Sequence, residues 1–182
     1  MGEFRRVEER IVHAGFLITV AEATFEAPDG TRFERDVVHH PGAVSVVPIL
    51  DDGSVLLVRQ YRAAIDGDLL EIPAGKRDVA GEPPEITARR ELEEEVGMRA
   101  GRLELMARFY NSPGFCDEHS HVFIATELTP TDRRAHGPEE EHLTVHRVPL
   151  GETDGMIAEG IIVDAKTIIG LSLARLRREE AS

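Results

Sequence analysis

The chain predicts an α/β fold: a mixed sheet held between helices, with a small β-rich appendage at its N-terminus. Three observations carry this expectation. Short segments before residue 62 and after residue 100 alternate apolar or β-branched residues with polar ones, the period of a half-buried strand. A helix stands among those strands, from Pro83 to Val96, where Pro83 and Pro84 suit a first turn and Gly97 suits the position past a helix end. A second amphipathic helix, Asp164 to Glu179, closes the chain, and two such helices need a sheet to cover.

In order, Val7 to His13 and Leu17 to Phe25 alternate as strands, Asp29-Gly30 is a hairpin signal, and Thr31 to His39 is the return strand. Residues 1–40 hold too few apolar residues for a core of their own, yet Ile11, Val12, Leu17, Val20, Phe25 and Val38 need cover. The expected division is therefore an N-terminal strand region, 1–40, and a main domain, 41–182. Ala43 to Leu50 and Ser54 to Tyr61 predict a second hairpin around Asp51-Asp52-Gly53, and their continuous apolar runs suggest strands covered on both faces. Leu69 to Ile72 is a short strand before the helix, and Leu103 to Tyr110 and His121 to Ala125 follow it, separated by a loop at Asn111 to Glu118. Thr131 to Glu141 is polar and contains Gly137-Pro138, an exposed loop long enough to act as a lid. Leu143 to Val148 returns as a strand, and a short helix near Gly151 to Glu159 precedes the last one.

The 182 residues are 41% hydrophobic, sufficient for one domain with a small appendage. The net charge of −13 argues against nucleic acid as a partner, because a phosphate backbone needs a basic surface. A small phosphorylated ligand remains compatible if cations and a few arginines screen the carboxylates. The single cysteine, Cys116, excludes an internal disulfide. MGEFRRVEER has no apolar leader and no run of roughly 18 apolar residues occurs, so the expectation is a soluble cytoplasmic protein with no membrane association. His119 and His121 alternate on a strand without cysteines or paired carboxylates near them and make poor zinc ligands.

On the Pro83–Val96 helix, Glu91 and Glu95 are four residues apart and Glu94 is three from Glu91, so three carboxylates share one face. Like charges at that spacing repel. A cluster of hard oxygen donors suits Mg²⁺ or Mn²⁺ rather than zinc. Ala88, Leu92 and Val96 form the buried stripe beside it.

Arg90-Glu91-Leu92-Glu93-Glu94-Glu95-Val96-Gly97-Met98 resembles the box of Nudix hydrolases at every specified position, and Glu82 stands eight residues before Arg90 as in that box. One departure exists: Gly75 lies seven residues before Glu82, not six, a loop longer by one residue. The resemblance implies an α/β/α sandwich and hydrolysis of a diphosphate bound to two or three divalent ions. It makes Glu91, Glu94 and Glu95 metal ligands together with the Ala74 carbonyl. Arg90 orients the glutamates, and Glu82 is either a further metal contact or a helix-dipole carboxylate.

Ser112-Pro113-Gly114-Phe115-Cys116-Asp117-Glu118, with Pro113 sixteen residues after Gly97, resembles the loop of the ADP-ribose pyrophosphatase subfamily. That likeness implies cleavage of ADP-ribose to AMP and ribose 5-phosphate. It implies substrate contacts from Ser112, Gly114 and Glu118, a phosphate contact from Arg62, and Glu71 holding a site water or the ribose side. The base comes from the acidic loop, Glu139 or Glu141 in the Glu139-Glu140-Glu141 run, and the residues do not choose between them. The subfamily also implies a homodimer whose N-terminal strands reach across, so that adenine recognition draws on both subunits. Two alternatives stand beside this reading: another nucleoside diphosphate sugar or oxidised nucleotide as substrate, and a non-catalytic ADP-ribose sensor, against which the intact carboxylates speak.

Overall fold

The computed structural model describes residues 2–133 and 141–180. The chain divides into two compact units, one of residues 1–42 with 109–119, the other of residues 43–108 with 120–182.

The first unit is an antiparallel meander of β1 (Arg5–Ala14), β2 (Thr19–Glu26) and β3 (Arg32–His39), in that spatial order. Gly30 turns the second hairpin at a φ of 86°, which a β-carbon would resist, and the Asp29 carboxylate accepts the Thr31 N–H. Phe25 and Phe33 face each other across this hairpin with stacked rings 5.6 Å apart. The segment after Tyr110 closes against β3: Val38 N–H donates to the Phe115 carbonyl and Asp117 N–H to the Val38 carbonyl.

The second unit holds two sheets. In one the order is β10 (Thr144–Pro149), β5 (Ser54–Arg62), β6 (Gly67–Glu71); in the other it is β7 (Ala74–Lys76), β4 (Ala43–Pro48), β9 (His119–Pro130), β8 (Met98–Tyr110). β4 pairs antiparallel with β7 and parallel with β9, so the second sheet is mixed. Because successive strand residues point to opposite faces, β4 serves two cores. Val44 and Val46 meet Ala88, Leu92 and Val96 of the central helix, together with Phe123 and Ala125 of β9. On the other face, Val47, Val122 and Ile72 crowd Gly170 of the closing helix so tightly that an added β-carbon would lie 2.9–3.3 Å from them. This places helices on both sides of the sheet, the α/β/α sandwich. Among the described residues the α-helices of this unit include α1 (Pro84–Glu91), α2 (Thr153–Ala158) and α3 (Ala165–Glu180).

Three expectations are corrected. Ala43–Leu50 and Ser54–Tyr61 do not form a hairpin: β4 and β5 enter different sheets and share only the bridge between Ile49 and Val55. The turn itself is present, with Leu50 N–H on the Ser54 carbonyl and Asp52 accepting the Ser54 N–H and hydroxyl. Both strands are buried on both faces, so their apolar runs identify strands without identifying their partners. The stretch 83–96 is not one α-helix. It is α1 followed by a π-helical turn, Leu92–Val96, in which Gly97 at φ 68° donates its N–H to the carbonyls of both Leu92 and Glu93. A further strand, β7, follows Pro73 where a loop was expected. No helix among the described residues is long and apolar enough to cross a membrane.

Candidate active site

The site begins where β6 runs into β7. Pro73 breaks the strand, its carbonyl accepts the Val46 N–H, and the Ala74 N–H then donates to Glu95 Oε2 at 3.0 Å. The next residue is Gly75. A β-carbon on Gly75 would lie 1.9 Å from the Glu91 carboxyl carbon, so the bare backbone is what lets the β7 strand lie against the central helix.

On the helix side, α1 starts at Pro84 with Pro83 as cap, and Glu82 just before it accepts the Thr87 hydroxyl at 2.7 Å. Glu91 and Glu95 are buried, at 6% and 2% exposure. Arg90 Nη1 lies 2.8 Å from Glu91 and 3.0 Å from Glu94, and its Nη2 lies 3.6 Å from Glu82. Burial pulls the Arg90 guanidinium toward neutrality, but the charges of Glu91, Glu94 and Glu82 more than offset it and hold the group above its ordinary value. Arg90 is thus the cation that keeps like-charged carboxylates on one face. Glu93, in the same turn, points elsewhere and pairs with Arg99.

Among the described residues no three acidic, histidine or cysteine side chains already converge as a closed cation cage. The residues nevertheless fit a hard divalent ion in two respects. The donors on this face are all carboxylate oxygens, and Gly75 leaves the Glu91 carboxylate lying directly against the β7 backbone.

Beside this face is a second charged cluster, which the sequence reading met only in part. Glu71 is fully buried, and Arg62 grips it with two bonds, Nε to Oε1 at 2.8 Å and Nη2 to Oε2 at 2.6 Å. Lys166, from the first turn of α3, bonds the same Oε2 and lies 3.0 Å from Asp164. Burial pushes the Glu71 carboxyl up, but Arg62 and Lys166 outweigh it and hold the group below the usual glutamate range. The Glu71 bond raises Arg62 above its ordinary value against the cost of burial, and the charges of Glu71, Glu95 and Asp164 add to the rise. No sequence motif marks Lys166 or Asp164, which stand at the start of a helix whose amphipathic pattern points to packing.

The acidic loop is framed by Thr131, whose N–H donates to the Gly97 carbonyl, and by Arg133, which donates to the Leu143 carbonyl at 3.2 Å. Glu139 and Glu140 lie outside the described residues, and Glu141 is exposed.

Ser112, Gly114 and Glu118 belong to the first unit. The Ser112 carbonyl accepts the N–H groups of Phe115 and Cys116, and the Asn111 N–H donates to the Glu118 carbonyl. His39 Nδ1 meets Asp117 at 2.6 Å and Nε2 meets Glu9 at 3.2 Å. The Asp117 bond raises the His39 imidazole above its ordinary value. The loop also walls a cavity of about 510 Å³ lined by Phe25, Phe33, Arg35, Tyr110 and Phe115. His119 and His121 form no metal cluster among the described residues.

Residues 39–168 match the family model described as the NUDIX domain. The chain belongs to the Nudix family. Relatives named ADP-ribose pyrophosphatase match most of the chain. That of Bacillus subtilis (strain 168) is 37% identical over 175 residues, covering 96% of this chain and 94% of that protein. That of Mycobacterium tuberculosis (strain ATCC 25618 / H37Rv) is 36% identical over 169 residues, covering 93% and 82%. A solved structure titled "Crystal structure of ADP compounds hydrolase" superposes with a TM-score of 0.87 at 24% identity, over 100% of this chain and 97% of that one, and supports the Nudix fold.

The Gly75 contact yields a prediction. Gly75→Ala should lower kcat at least about 100-fold, since an ångström-scale shift of a site group costs that much, while circular dichroism stays that of the native protein. Turnover within threefold of wild type would show that Glu91 does not need the place this contact gives it.

Proposed function

We propose that the protein hydrolyses the diphosphate of ADP-ribose, yielding AMP and ribose 5-phosphate, with Mg²⁺ or Mn²⁺ as cofactor at two to three ions per site. The observation that carries the reading is the buried carboxylate face of Glu91 and Glu95, with Glu94 beside them, against the Ala74-Gly75 backbone.

Glu91, Glu94, Glu95 and the Ala74 carbonyl would hold the ions. Bound there, divalent cations would neutralise the diphosphate and make water easier to deprotonate into a nucleophile. The chain's own groups do the rest. Arg90 keeps Glu91 and Glu94 facing one way, and the Ala74 N–H holds Glu95. Arg62, clamped by Glu71, offers its remaining edge to a phosphate oxygen as a fixed planar donor. Glu71 is fully buried and engaged by two cations, so we assign it to holding Arg62 and not to the ribose. Glu139 or Glu141 would accept the proton of the attacking water. Ser112, Gly114 and Glu118 would contact the substrate.

The same unit exposes Ile11, Val12, Leu17 and Ile18 on or next to its first two strands, at 50%, 44%, 37% and 36%. We assign this surface to a two-fold homodimer, the commonest closed assembly, with residues 1–40 as the dimerising region of a cytoplasmic enzyme.

Three measurements test these readings. Incubated with Mg²⁺ and a panel of ADP-ribose, other nucleoside diphosphate sugars and oxidised nucleoside triphosphates, the protein should cleave ADP-ribose at its diphosphate with the highest kcat/KM. Glu94→Gln should lose at least about 10³-fold in kcat, roughly 4 kcal/mol of transition-state stabilisation. Binding of ADP-ribose without turnover would favour the sensor. Light scattering should give twice the 20.1 kDa chain mass, and a monomer at micromolar concentration would remove the dimer.

A further inference from the structure

Lys166 sits where local rules disfavour it. It occupies the first turn of α3, the positive end of the helix dipole, where a cation is repelled. Its side chain is only 15% exposed, and a buried ammonium is costly unless it is paired. Ordinary packing would be met better by an apolar residue. Its neighbours explain its presence. Asp164, just before the helix, accepts the Thr167 N–H at 2.9 Å and hydroxyl at 2.6 Å, and the Thr167 hydroxyl in turn accepts the Ile72 N–H at 2.9 Å. The first turn of α3 is therefore fastened to the end of β6 at two successive residues: Thr167 to Ile72 and Lys166 to Glu71. Two residues further on, the Ala74 N–H reaches Glu95.

The consequence falls on Arg62. Its Nε and Nη2 are committed to Glu71, its side chain is 39% exposed, and among the described residues no hydrogen bond is made by Nη1. A lone carboxylate behind the guanidinium would cancel its charge toward anything in front. Lys166 supplies a second positive charge to Glu71, and the four groups, Arg62, Lys166, Glu71 and Asp164, sum to zero. Without Lys166 they would carry one net negative charge, next to a face already rich in carboxylates.

We propose that Lys166 is a positioning residue for diphosphate binding: it holds the Glu71 carboxylate and shares its charge, so that Arg62 is both fixed in plane and left positive toward a phosphate. The inference rests on Arg62 being the phosphate contact.

The test is a double-mutant cycle with ADP-ribose and saturating Mg²⁺. Lys166→Met should raise KM about tenfold, the scale of one unit charge acting over a few ångströms in a partly buried site, with kcat changed less than threefold. Lys166→Gln keeps a neutral donor for Glu71 and should show the same rise, which preserves the test if the methionine variant does not fold. Lys166→Arg should restore KM toward wild type. In an Arg62→Met background the Lys166 substitutions should add little, because the group they support is gone. A purely structural Lys166 would lower the melting temperature and leave KM alone. If Arg62→Met raises KM but the Lys166 variants do not, or if the two effects multiply independently, the positioning role is overturned and Arg62 stands. If Arg62→Met itself leaves KM unchanged, the phosphate reading of Arg62 fails and the Lys166 role fails with it.

Discussion

Crowding of like charge on one helix is the constraint around which the second unit is built. Glu91, Glu94 and Glu95 repel one another, and two of them are nearly excluded from water, where an unpaired carboxylate is intolerable. Arg90 answers part of that repulsion from the same helix, and the Ala74 N–H answers another part from β7. The π turn at Leu92–Val96 belongs to the same solution. Carrying Glu93, Glu94 and Glu95 in a widened turn, it lets Glu93 leave for Arg99 while Glu95 goes inward to Ala74. A divalent ion held there would relieve what remains, so that binding would offset the cost of gathering the carboxylates.

The surrounding fold makes that cost bearable. β4, apolar on both faces, anchors α1 on one side and α3 on the other, and neither helix can shift without opening a buried layer. Through α3 the fold reaches the second cluster. Thr167 and Lys166 fix Ile72 and Glu71, and Glu71 fixes Arg62. Two acidic groups of unlike purpose thus stand side by side. Glu91 and Glu95 face a region suited to cations, whereas Glu71 is neutralised from behind by a lysine so that its arginine stays available.

Much of this was legible in the sequence, because helix spacing is a local code. Four-residue intervals put Glu91 and Glu95 on one face, and Pro83, Pro84 and Gly97 mark where the segment starts and stops. The strands were legible from their alternation, but their partners were not. β4 and β5 are both apolar on both faces, so nothing in their pattern separates a hairpin from two strands of different sheets. The π turn was invisible because one extra residue per turn leaves the apolar stripe of Ala88, Leu92 and Val96 intact. Lys166 was missed for a different reason: its partner is 95 residues away in sequence. The one local sign was a lysine in the first turn of a helix, against the dipole. The Gly75 spacing, one residue longer than the family pattern, changed the loop and not the contact, since Gly75 still lies against Glu91.

On this reading the inward carboxylates, and not acidity in general, make the cation site. Mn²⁺ binding followed by electron paramagnetic resonance measures this directly, because free Mn²⁺ gives a signal that bound Mn²⁺ loses. The wild-type protein should deplete the free signal. Glu91→Gln and Glu95→Gln should weaken binding by an order of magnitude or more, and Glu93→Gln, on the same turn but paired outward with Arg99, should bind as wild type does. Equal loss in all three variants, or in none, would contradict the account.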